Sequence, residues 1–403
     1  MKNNWQTKKL GEVCEVVTGT TPPKSDMTNY GNEIPFFKPP HLWDNLIHTT
    51  EEKLSLNGAK KARVVPPNTV LVTCIGNLGR TGFVKREAAF NQQINAILEN
   101  EKLIGKYLFY QAQSPSFRNQ LERLATGTTV SIVNKKNFET IEIPVPPIET
   151  QHAIVSKIEE LFSELDQGIT DLKTAQAQLK VYRQSVLKHA FEGKLTNKNV
   201  KEGELPEGWE WVKISDISRV VRGGSPRPAG DPKYYDGDIP FLKVADLTKD
   251  NGIYLTTYKY TIKEAGLHKT RQISPKTLLL SNSGATLGVP KICMINATMN
   301  DGVAAFLDLD ERSNHYLYYF WLSKTLELRG INMGAGQPNL NTDLIKEYRV
   351  PYCSFEEQHL IVQEIESRLS VADKMEESIQ ESLQKAEALR QSILKKAFSG
   401  ELV

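Results

Sequence analysis

The sequence predicts a mixed α/β protein in which two tandem-repeated domains are separated by two long antiparallel coiled-coil helices with pseudo-two-fold symmetry. Three observations lead to this prediction. The second half of the chain repeats the first, each half opens with short β-branched and aromatic runs broken by Gly, Pro and Asn, and each half closes with a long proline-free segment of heptad spacing. Because 403 residues are too many for one ordinary domain, roughly two to four folded units are expected.

The internal repeat is visible as matches at a nearly constant offset. Residues 5–22 match residues 209–226 at an offset of 204 (209 − 5), and residues 183–191 match residues 390–398 at an offset of 207 (390 − 183). One unit of about 200 residues is therefore used twice. A shared framework with divergent interiors predicts one scaffold that reads two different targets.

Each repeat divides into a globular part and a helical part. The predicted boundaries are, in chain order, a first domain at 1–146, a first helical region at 147–194, a linker at 195–208, a second domain at 209–353 and a second helical region at 354–403. Within the globular parts, the aromatic segment Tyr107 to Leu124 and its counterpart Tyr316 to Leu328 each predict one helix.

Apolar residues at heptad spacing predict that the two helical regions form a coiled coil. The seam residues in the first helix are Ile158, Leu165, Leu172, Leu179 and Val186, and those in the second are Ile365, Ala372, Ile379, Ala386 and Ile393. Gly193 and Gly400 stand where the ends of helices favour glycine. At about 1.5 Å per residue, roughly 43 residues give a rod of about 65 Å, so the helices are expected to set a distance between the domains.

Composition excludes several classes of protein. The chain has 50 Lys and Arg against 48 Asp and Glu, so its net charge of +2 is far from the basic balance of small DNA-binding domains. No stretch approaches the roughly 20 apolar residues that span a bilayer, and the first residues lack the apolar run of a signal peptide. We therefore expect a soluble, cytoplasmic protein without membrane contact.

The cysteines predict neither a metal site nor a disulfide framework, because no two of them are closely spaced. We expect all four to be reduced and most of them to be packed: Cys14, Cys74, Cys293 and Cys353.

Catalytic signatures are weak throughout the chain. Residues 37–41 are similar to the Asn-Pro-Pro-aromatic motif of adenine methyltransferases, but Lys38 replaces the amide and no glycine-rich cofactor loop accompanies it. Residues 76–82 are glycine-rich but lack the Gly-Lys-Ser/Thr ending of a phosphate-binding loop. The sequence therefore predicts a protein that is not an enzyme and that holds no metal.

Several short motifs recur in the same order in both repeats. They are Gly19-Thr20-Thr21-Pro22 and Gly223-Gly224-Ser225-Pro226, Ile34-Pro35-Phe36 and Ile239-Pro240-Phe241, Gln151-His152 and Gln358-His359, and the helix ends Leu187-Lys188-His189-Ala190-Phe191 and Leu394-Lys395-Lys396-Ala397-Phe398. In the first repeat, Pro144-Val145-Pro146-Pro147 precedes Gln151-His152. Their order and duplication resemble the specificity subunits of type I restriction-modification systems over nearly the whole chain. Residues 128–134 depart from the family pattern more than their counterpart at 335–341 does.

The resemblance implies a non-catalytic DNA-binding subunit that recognises a bipartite site on double-stranded DNA, with one domain for each half. It also implies that the helices set the spacing and dock two modification subunits, which are methyltransferases using S-adenosylmethionine. Restriction subunits that use ATP and Mg²⁺ would join them for cleavage. The chain itself is expected to bind none of these cofactors.

The loop after the first strand of each domain is a candidate for phosphate contact, since backbone N–H groups, hydroxyls and nearby cations attract phosphates. The candidates are Thr18, Gly19, Thr20, Thr21 and Lys24 in the first domain, and Arg222, Gly223, Gly224, Ser225 and Arg227 in the second. An ordinary Gly-Pro turn that leaves a strand explains the same residues equally well.

Base readout needs side chains that present donors and acceptors to the groove edges. The candidates are Lys38, Asn77, Arg80 and Thr129 in the first domain, and Lys243, Asn282, Lys291 and Gln337 in the second.

Two other readings of the chain remain open: a repeat scaffold that joins protein partners without touching DNA, and a DNA enzyme with an unrecognised site. Salt-dependent DNA binding separates the DNA-binding specificity subunit from the protein scaffold, and activity of the chain alone favours the enzyme.

Overall fold

The computed structural model describes residues 5–127, 129–197, 199–284, 286–331 and 340–403. The chain divides into two compact units, both of mixed α/β structure, as the sequence predicts. Unit 1 comprises Met1–Thr174 and Ile379–Val403, and unit 2 comprises Ala175–Ser378. Unit 1 therefore contains both ends of the chain.

The elements of unit 1 follow in chain order. The strands are β1 (Gln6–Lys9), β2 (Val16–Thr18), β3 (Tyr30–Phe37), β4 (Asn45–Ile47), β5 (Lys53–Leu54), β6 (Val64–Val65), β7 (Val70–Thr73), β8 (Thr81–Val84), β9 (Ala88–Phe90), β10 (Ile94–Ile97) and β11 (Glu142–Val145). The helices are α1 (Leu10–Val13), α2 (Leu56–Lys61), α3 (Gly105–Gln113), α4 (Pro115–Arg123), α5 (Lys135–Phe138) and the start of α6 (Ile148–Phe191), with 3₁₀ turns at Met27–Asn29 and Pro39–His41.

Three sheets organise unit 1, in the orders β2-β10-β7-β8-β4, β5-β3-β9-β6 and β1-β11. The five-stranded sheet β2-β10-β7-β8-β4 is covered by a core on each face, as strand β7 shows. Successive side chains of a strand point to opposite faces of its sheet. Val70 and Val72 join the core on the α3 side, whereas Leu71 joins the core with Phe37 and Phe90 on the other side. A strand that is covered on both faces needs an unbroken apolar run.

Unit 2 repeats this arrangement with its own elements. The strands are β12 (Glu210–Lys213), β13 (Arg219–Arg222), β14 (Tyr235–Leu242), β15 (Tyr254–Leu255), β16 (Thr261–Ile262), β17 (Arg271–Ile273), β18 (Thr277–Ser281), β19 (Pro290–Cys293), β20 (Ala297–Met299), β21 (Val303–Leu307) and β22 (Arg349–Tyr352). The helices are α7 (Ile214–Ile217), α8 (Val244–Leu247), α9 (Asn314–Ile331), α10 (Thr342–Glu347) and α11 (Phe355–Ser399), with 3₁₀ turns at Glu264–Lys269 and Glu311–Ser313. The sheet orders are β13-β21-β18-β19-β15, β16-β14-β20-β17 and β12-β22, which match unit 1 strand for strand.

The predicted single helix from Tyr107 to Leu124 is wrong, because the structure divides this segment into α3 and α4. Pro115 cannot continue a helix, and the Ser114 hydroxyl caps the start of α4 by accepting a hydrogen bond from Phe117 N at 3.3 Å. In the second repeat α9 runs through the equivalent segment without interruption, and the sequence there contains no proline.

The long helices place every predicted seam residue on a covered face. Ile158, Leu179, Val186, Ile365, Ala372, Ala386 and Ile393 are buried, and Leu165, Leu172 and Ile379 are half-buried. Gly193 and Gly400 follow the two helix ends with φ of +73° and +77°, the left-handed conformation that glycine accepts without strain.

One ion pair between helix segments occurs in both units. In unit 2, Arg183 donates to Asp373 at 2.6 Å and to Glu376 at 2.9 Å. In unit 1, Arg390 donates to Asp166. The two pairs are equivalent under the repeat, since 183 + 207 = 390 and 166 + 207 = 373, so the repeat extends to the contacts that the helices make.

All four cysteines are free and buried, as predicted. Burial raises the pKa of Cys14, Cys74 and Cys353 to about 12. Because the thiolate is the reactive form, we expect the native protein to resist alkylation at neutral pH and to gain four adducts after unfolding. Mass spectrometry after treatment with N-ethylmaleimide measures this, and rapid labelling of any cysteine in the native protein would contradict it.

Candidate functional site

The loop after β2 in unit 1 is held by the backbone of the β9–β10 connection. Gly19 N donates to Ile94 O at 3.1 Å, and Thr20 N donates to Phe90 O at 3.0 Å. A Cβ atom at Gly19 would lie 2.2 Å from Asn91 O, so the loop can approach this connection only with glycine.

The hydroxyls of the same loop are also engaged within unit 1. Thr18 Oγ1 donates to Asn95 Oδ1 at 2.7 Å, and Thr21 Oγ1 donates to Gln92 Oε1 at 2.6 Å. Thr20 Oγ1 accepts a hydrogen bond from the Arg63 backbone at 2.7 Å.

The equivalent loop after β13 repeats this arrangement. Gly223 N donates to Val303 O and Gly224 N to Met299 O, both at 3.0 Å, and Ser225 Oγ donates to Asp301 Oδ1 at 2.7 Å. In both units most of the donors that were predicted to face phosphates thus form hydrogen bonds inside the fold, which supports an ordinary turn, whereas the Thr20 hydroxyl only accepts one. Phosphate contact by these loops stays a prediction.

Three cationic side chains of these loops remain at the surface. Lys24 is exposed in unit 1. In unit 2, Arg222 Nε donates to Asp301 O, and the guanidinium of Arg227 lies 3.6 Å from the Asp301 carboxylate with its side chain 71% exposed. These loops therefore offer surface charge rather than a backbone cradle.

Lys291 was predicted to read a base, but the structure buries it. Its side chain is 2% exposed, and its Nζ donates to Asp250 Oδ1 at 2.7 Å, to Asp250 O at 3.0 Å and to Gly252 O. The hydrogen bond from Lys291 holds the pKa of the Asp250 carboxyl below its usual value. Lys291 therefore anchors the loop that contains Asp250 and does not contact solvent.

The repeat explains why a lysine occupies this position. Lys291 lies opposite Leu279 on the neighbouring strand, and Gly82 lies opposite Leu71 in the same way. Lys291 and Gly82 therefore occupy equivalent positions in the two repeats. Leu42 and Leu247 are equivalent buried leucines. The chain takes five residues from Leu42 to the end of β4 at Ile47 (47 − 42) and eight from Leu247 to the end of β15 at Leu255 (255 − 247), so this connection is three residues longer in unit 2. Lys291 holds these added residues in place.

Replacing Lys291 with methionine should lower the free energy of unfolding by about 1–3 kcal/mol, because the loop loses its charge-assisted hydrogen bonds. The matched control is Lys276→Met, since Lys276 pairs with Glu311 at the surface and is 56% exposed. We expect that control to cost less than about 1 kcal/mol. Denaturant titration and hydrogen exchange of the Gly252 amide measure the effect, and equal behaviour of the two variants would rule out an anchoring role.

Asn282, another predicted reader, is also buried, with 0% exposure, so its side chain does not reach the surface. Asn77 and Thr129 are exposed, and Lys38 is half-buried and pairs with Glu52. Gln337 lies outside the described residues.

Lys243 belongs to a basic and aromatic surface of unit 2 that sequence reasoning missed. Its Nζ lies 3.6 Å from the centroid of the Tyr260 ring, and Lys259 lies 5.6 Å from the same ring. Tyr258 is 44% exposed, and Lys249 donates to the hydroxyl of Thr257. We call this surface the Lys–Tyr face and define it as Lys243, Lys249, Tyr258, Lys259 and Tyr260. The alternation Tyr258-Lys259-Tyr260 was its only signal in the sequence.

Arg80 stacks on a tryptophan that was also missed. The guanidinium carbon lies 3.8 Å from the centroid of the Trp43 ring, and Trp43 is 63% exposed. Cations above aromatic faces combine charge with a flat apolar surface, which suits contact with nucleic acid.

Among the described residues, no three His, Cys, Asp or Glu side chains lie close enough together to hold a metal ion. Within the same part of the chain, no helix has the length and apolar content to cross a membrane.

Comparison with known proteins gives a consistent set of relatives. The family model of the type I restriction modification DNA specificity domain matches residues 2–174 and 206–385. The type I restriction enzyme EcoBI specificity subunit of Escherichia coli is 25% identical, over 99% of this chain and 86% of that protein. The MjaIX specificity subunit of Methanocaldococcus jannaschii is 24% identical, over 99% of this chain and 94% of that protein.

Two solved structures share the fold. A chain from a type I R-M system structure superposes with a TM-score of 0.75 at 21% identity, covering 98% of both chains. The HsdS subunit from Thermoanaerobacter tengcongensis superposes with a TM-score of 0.65 at 20% identity, covering 100% of this chain and 98% of that one.

Proposed function

Because the chain belongs to the family of type I restriction modification DNA specificity domains, we propose that it directs a type I restriction-modification enzyme to a bipartite DNA site. It is the non-catalytic specificity subunit of that enzyme. The duplication carries the proposal: two units with the same strand order can bind two DNA segments in the same way and read different sequences in them.

Differences between equivalent residues support a separate target for each unit. Gly19 and Gly223 perform the same structural task in both loops. In contrast, Lys38 pairs with Glu52, whereas the equivalent Lys243 stacks on Tyr260. The framework is thus shared while the surface chemistry differs, as recognition of two unlike half-sites requires.

The proposed DNA-contacting residues are those that keep an accessible side chain. In unit 1 they are Lys24, Lys38, Asn77, Arg80 and Thr129, and in unit 2 they are Arg222, Arg227 and the Lys–Tyr face. Gln337 stays a candidate because a glutamine amide can present a paired donor and acceptor to a base edge. Charge at these positions supports phosphate contact, while Arg and Asn can also read base edges.

The partners follow from the same proposal. Two modification subunits that use S-adenosylmethionine would dock on the helices, and restriction subunits that use ATP and Mg²⁺ would join them. This chain would hold none of these cofactors itself, and the complex would act in the cytoplasm.

The test is to co-express the chain with its modification subunits and map methylated adenines across a bacterial genome. We expect one split motif with a fixed gap. Exchanging residues 1–146 for those of a relative should change only one half of it. A stable complex without any motif would favour the protein scaffold, and methylation by this chain alone would favour the enzyme.

DNA binding by the complex should also weaken steeply with salt. The logarithm of affinity falls with the logarithm of salt concentration by about 0.9 for each phosphate neutralised. A protein scaffold without DNA contact would show no such dependence.

A further inference from the structure

The stacked pair of Trp43 and Arg80 is positioned by contacts on the tryptophan side. The indole Nε1 donates to Pro40 O at 2.7 Å, and the backbone N of Trp43 donates to Asn45 Oδ1 at 2.9 Å. The preceding Leu42 is fully buried in the core of unit 1. The ring therefore stands at the surface on a short, anchored segment, although an exposed tryptophan leaves a large apolar area in water.

Arg80 contributes the guanidinium of the pair. It directly precedes β8, and its backbone N donates to Thr73 Oγ1 at 3.0 Å. Among residues 5–127, 129–197, 199–284, 286–331 and 340–403, none forms a hydrogen bond or ion pair with its guanidinium. The neighbouring Arg118, in contrast, is paired with Asp44.

The pair exists in only one of the two repeats. Thr81 lies opposite Val72 in unit 1, and Pro290 lies opposite Leu280 in the same way in unit 2. The residue before each is therefore equivalent, so Val289 occupies the position of Arg80 in unit 2. Thr248 follows Leu247 where Trp43 follows Leu42. Because unit 2 forms the same sheets without the pair, the fold does not require it, and a role in a target specific to unit 1 accounts for it.

We propose that Trp43 presets Arg80 to read a guanine in the half-site bound by unit 1. The planar guanidinium presents parallel N–H donors that match the O6 and N7 acceptors of guanine in the major groove. Stacking on a fixed ring sets the plane of that fork. The same fork can clamp a phosphate, but a phosphate contact reads no sequence. Because the pair occurs in unit 1 and its equivalent positions in unit 2 hold Val289 and Thr248, we assign it to a base edge. This inference rests on the proposed DNA-binding function and assigns a base to it.

The test uses the full chain in complex with its modification subunits. The variants are Arg80→Lys, which keeps the charge but removes the fork, and Trp43→Ala, which removes the support. The matched control is Arg312→Lys, because Arg312 also stacks on an aromatic ring, at 3.7 Å over Phe355, but its edge is occupied by Asp310. Each complex is assayed by methylation mapping and by binding to duplexes that vary one base pair at a time.

We expect both variants to relax one guanine position in one half of the motif, with discrimination falling on the order of 10- to 100-fold. The other half, the gap and the control should not change. Replacing that guanine with 7-deazaguanine should weaken the wild-type complex and leave Arg80→Lys nearly unaffected.

Two outcomes would overturn the inference while the proposed function stands. One is an unchanged motif in both variants. The other is weaker binding to every sequence with a smaller salt dependence, which would identify a phosphate contact. A wild-type complex that shows no split motif would instead remove the proposed function, and the inference with it.

Discussion

Replacing Phe398 with alanine is expected to lower the free energy of unfolding of unit 1 by about 3–5 kcal/mol, although most of unit 1 comes from the first half of the chain. Phe398 is 7% exposed and packs edge-on against Tyr107 at 5.3 Å between ring centroids. It belongs to the same core cluster as Leu394 and Ala397. The last turns of α11 are therefore part of the core of unit 1, and a smaller side chain leaves a cavity there.

The buried cysteines make this effect measurable within each unit. Cys14 and Cys74 lie in unit 1, and Cys293 and Cys353 lie in unit 2. In Phe398→Ala, the first two thiols should become reactive at lower denaturant concentration than in the wild type, while the other two keep their midpoint. Leu389→Ala is the control, because Leu389 lies on the same helix and is 51% exposed.

The repeat supplies a reciprocal experiment. Phe191 packs edge-on against Tyr316 at 5.2 Å and against Phe320 at 5.3 Å. Phe191→Ala should therefore shift the labelling of Cys293 and Cys353 instead. If both variants shift all four cysteines together, the units do not unfold separately and the assignment of each helix end to one core is not supported by this assay.

Replacing Gly19 or Gly223 with alanine should produce the second large effect. We expect it to lower the free energy of unfolding by about 1–3 kcal/mol or more. A Cβ atom would lie 2.2 Å from Asn91 O in the first case and 2.1 Å from Asn300 O in the second. Backbone atoms must then move apart, and the hydrogen bonds that hold these loops are lost. Denaturant titration of Gly19→Ala and Gly223→Ala measures the cost.

Gly168→Ala is the matched control for this pair. Gly168 lies within α6, and apart from the adjoining backbone of that helix no described heavy atom lies within 4 Å of the added Cβ position. Alanine favours a helix interior by about 1 kcal/mol over glycine, so the control should be neutral or stabilising. A similar loss in all three variants would show that steric fit at the loops is not the cause.

The sequence by itself determined the architecture that depends on local pattern. Heptad spacing identified the long helices, and β-branched runs identified the strand-rich domains. The repeat and its motifs led to the family. These properties are written in the order of neighbouring residues, where side-chain period and helix-breaking residues act over a few positions. Pro115 shows the limit of local pattern: the aromatic spacing around it predicts one helix, but proline cannot continue a helix and instead starts α4.

Tertiary structure alone decided which candidate residues are accessible. Lys291 and Asp250 are 41 residues apart, and only the fold brings the lysine into the loop and buries it. The donors of Gly19 and Gly223 appeared free in sequence, but the backbone of distant strands accepts their hydrogen bonds. Trp43 and Arg80 stack across 37 residues (80 − 43). Burial and pairing depend on contacts between distant segments, and their energies are set by the three-dimensional surroundings of each group rather than by its neighbours in the chain.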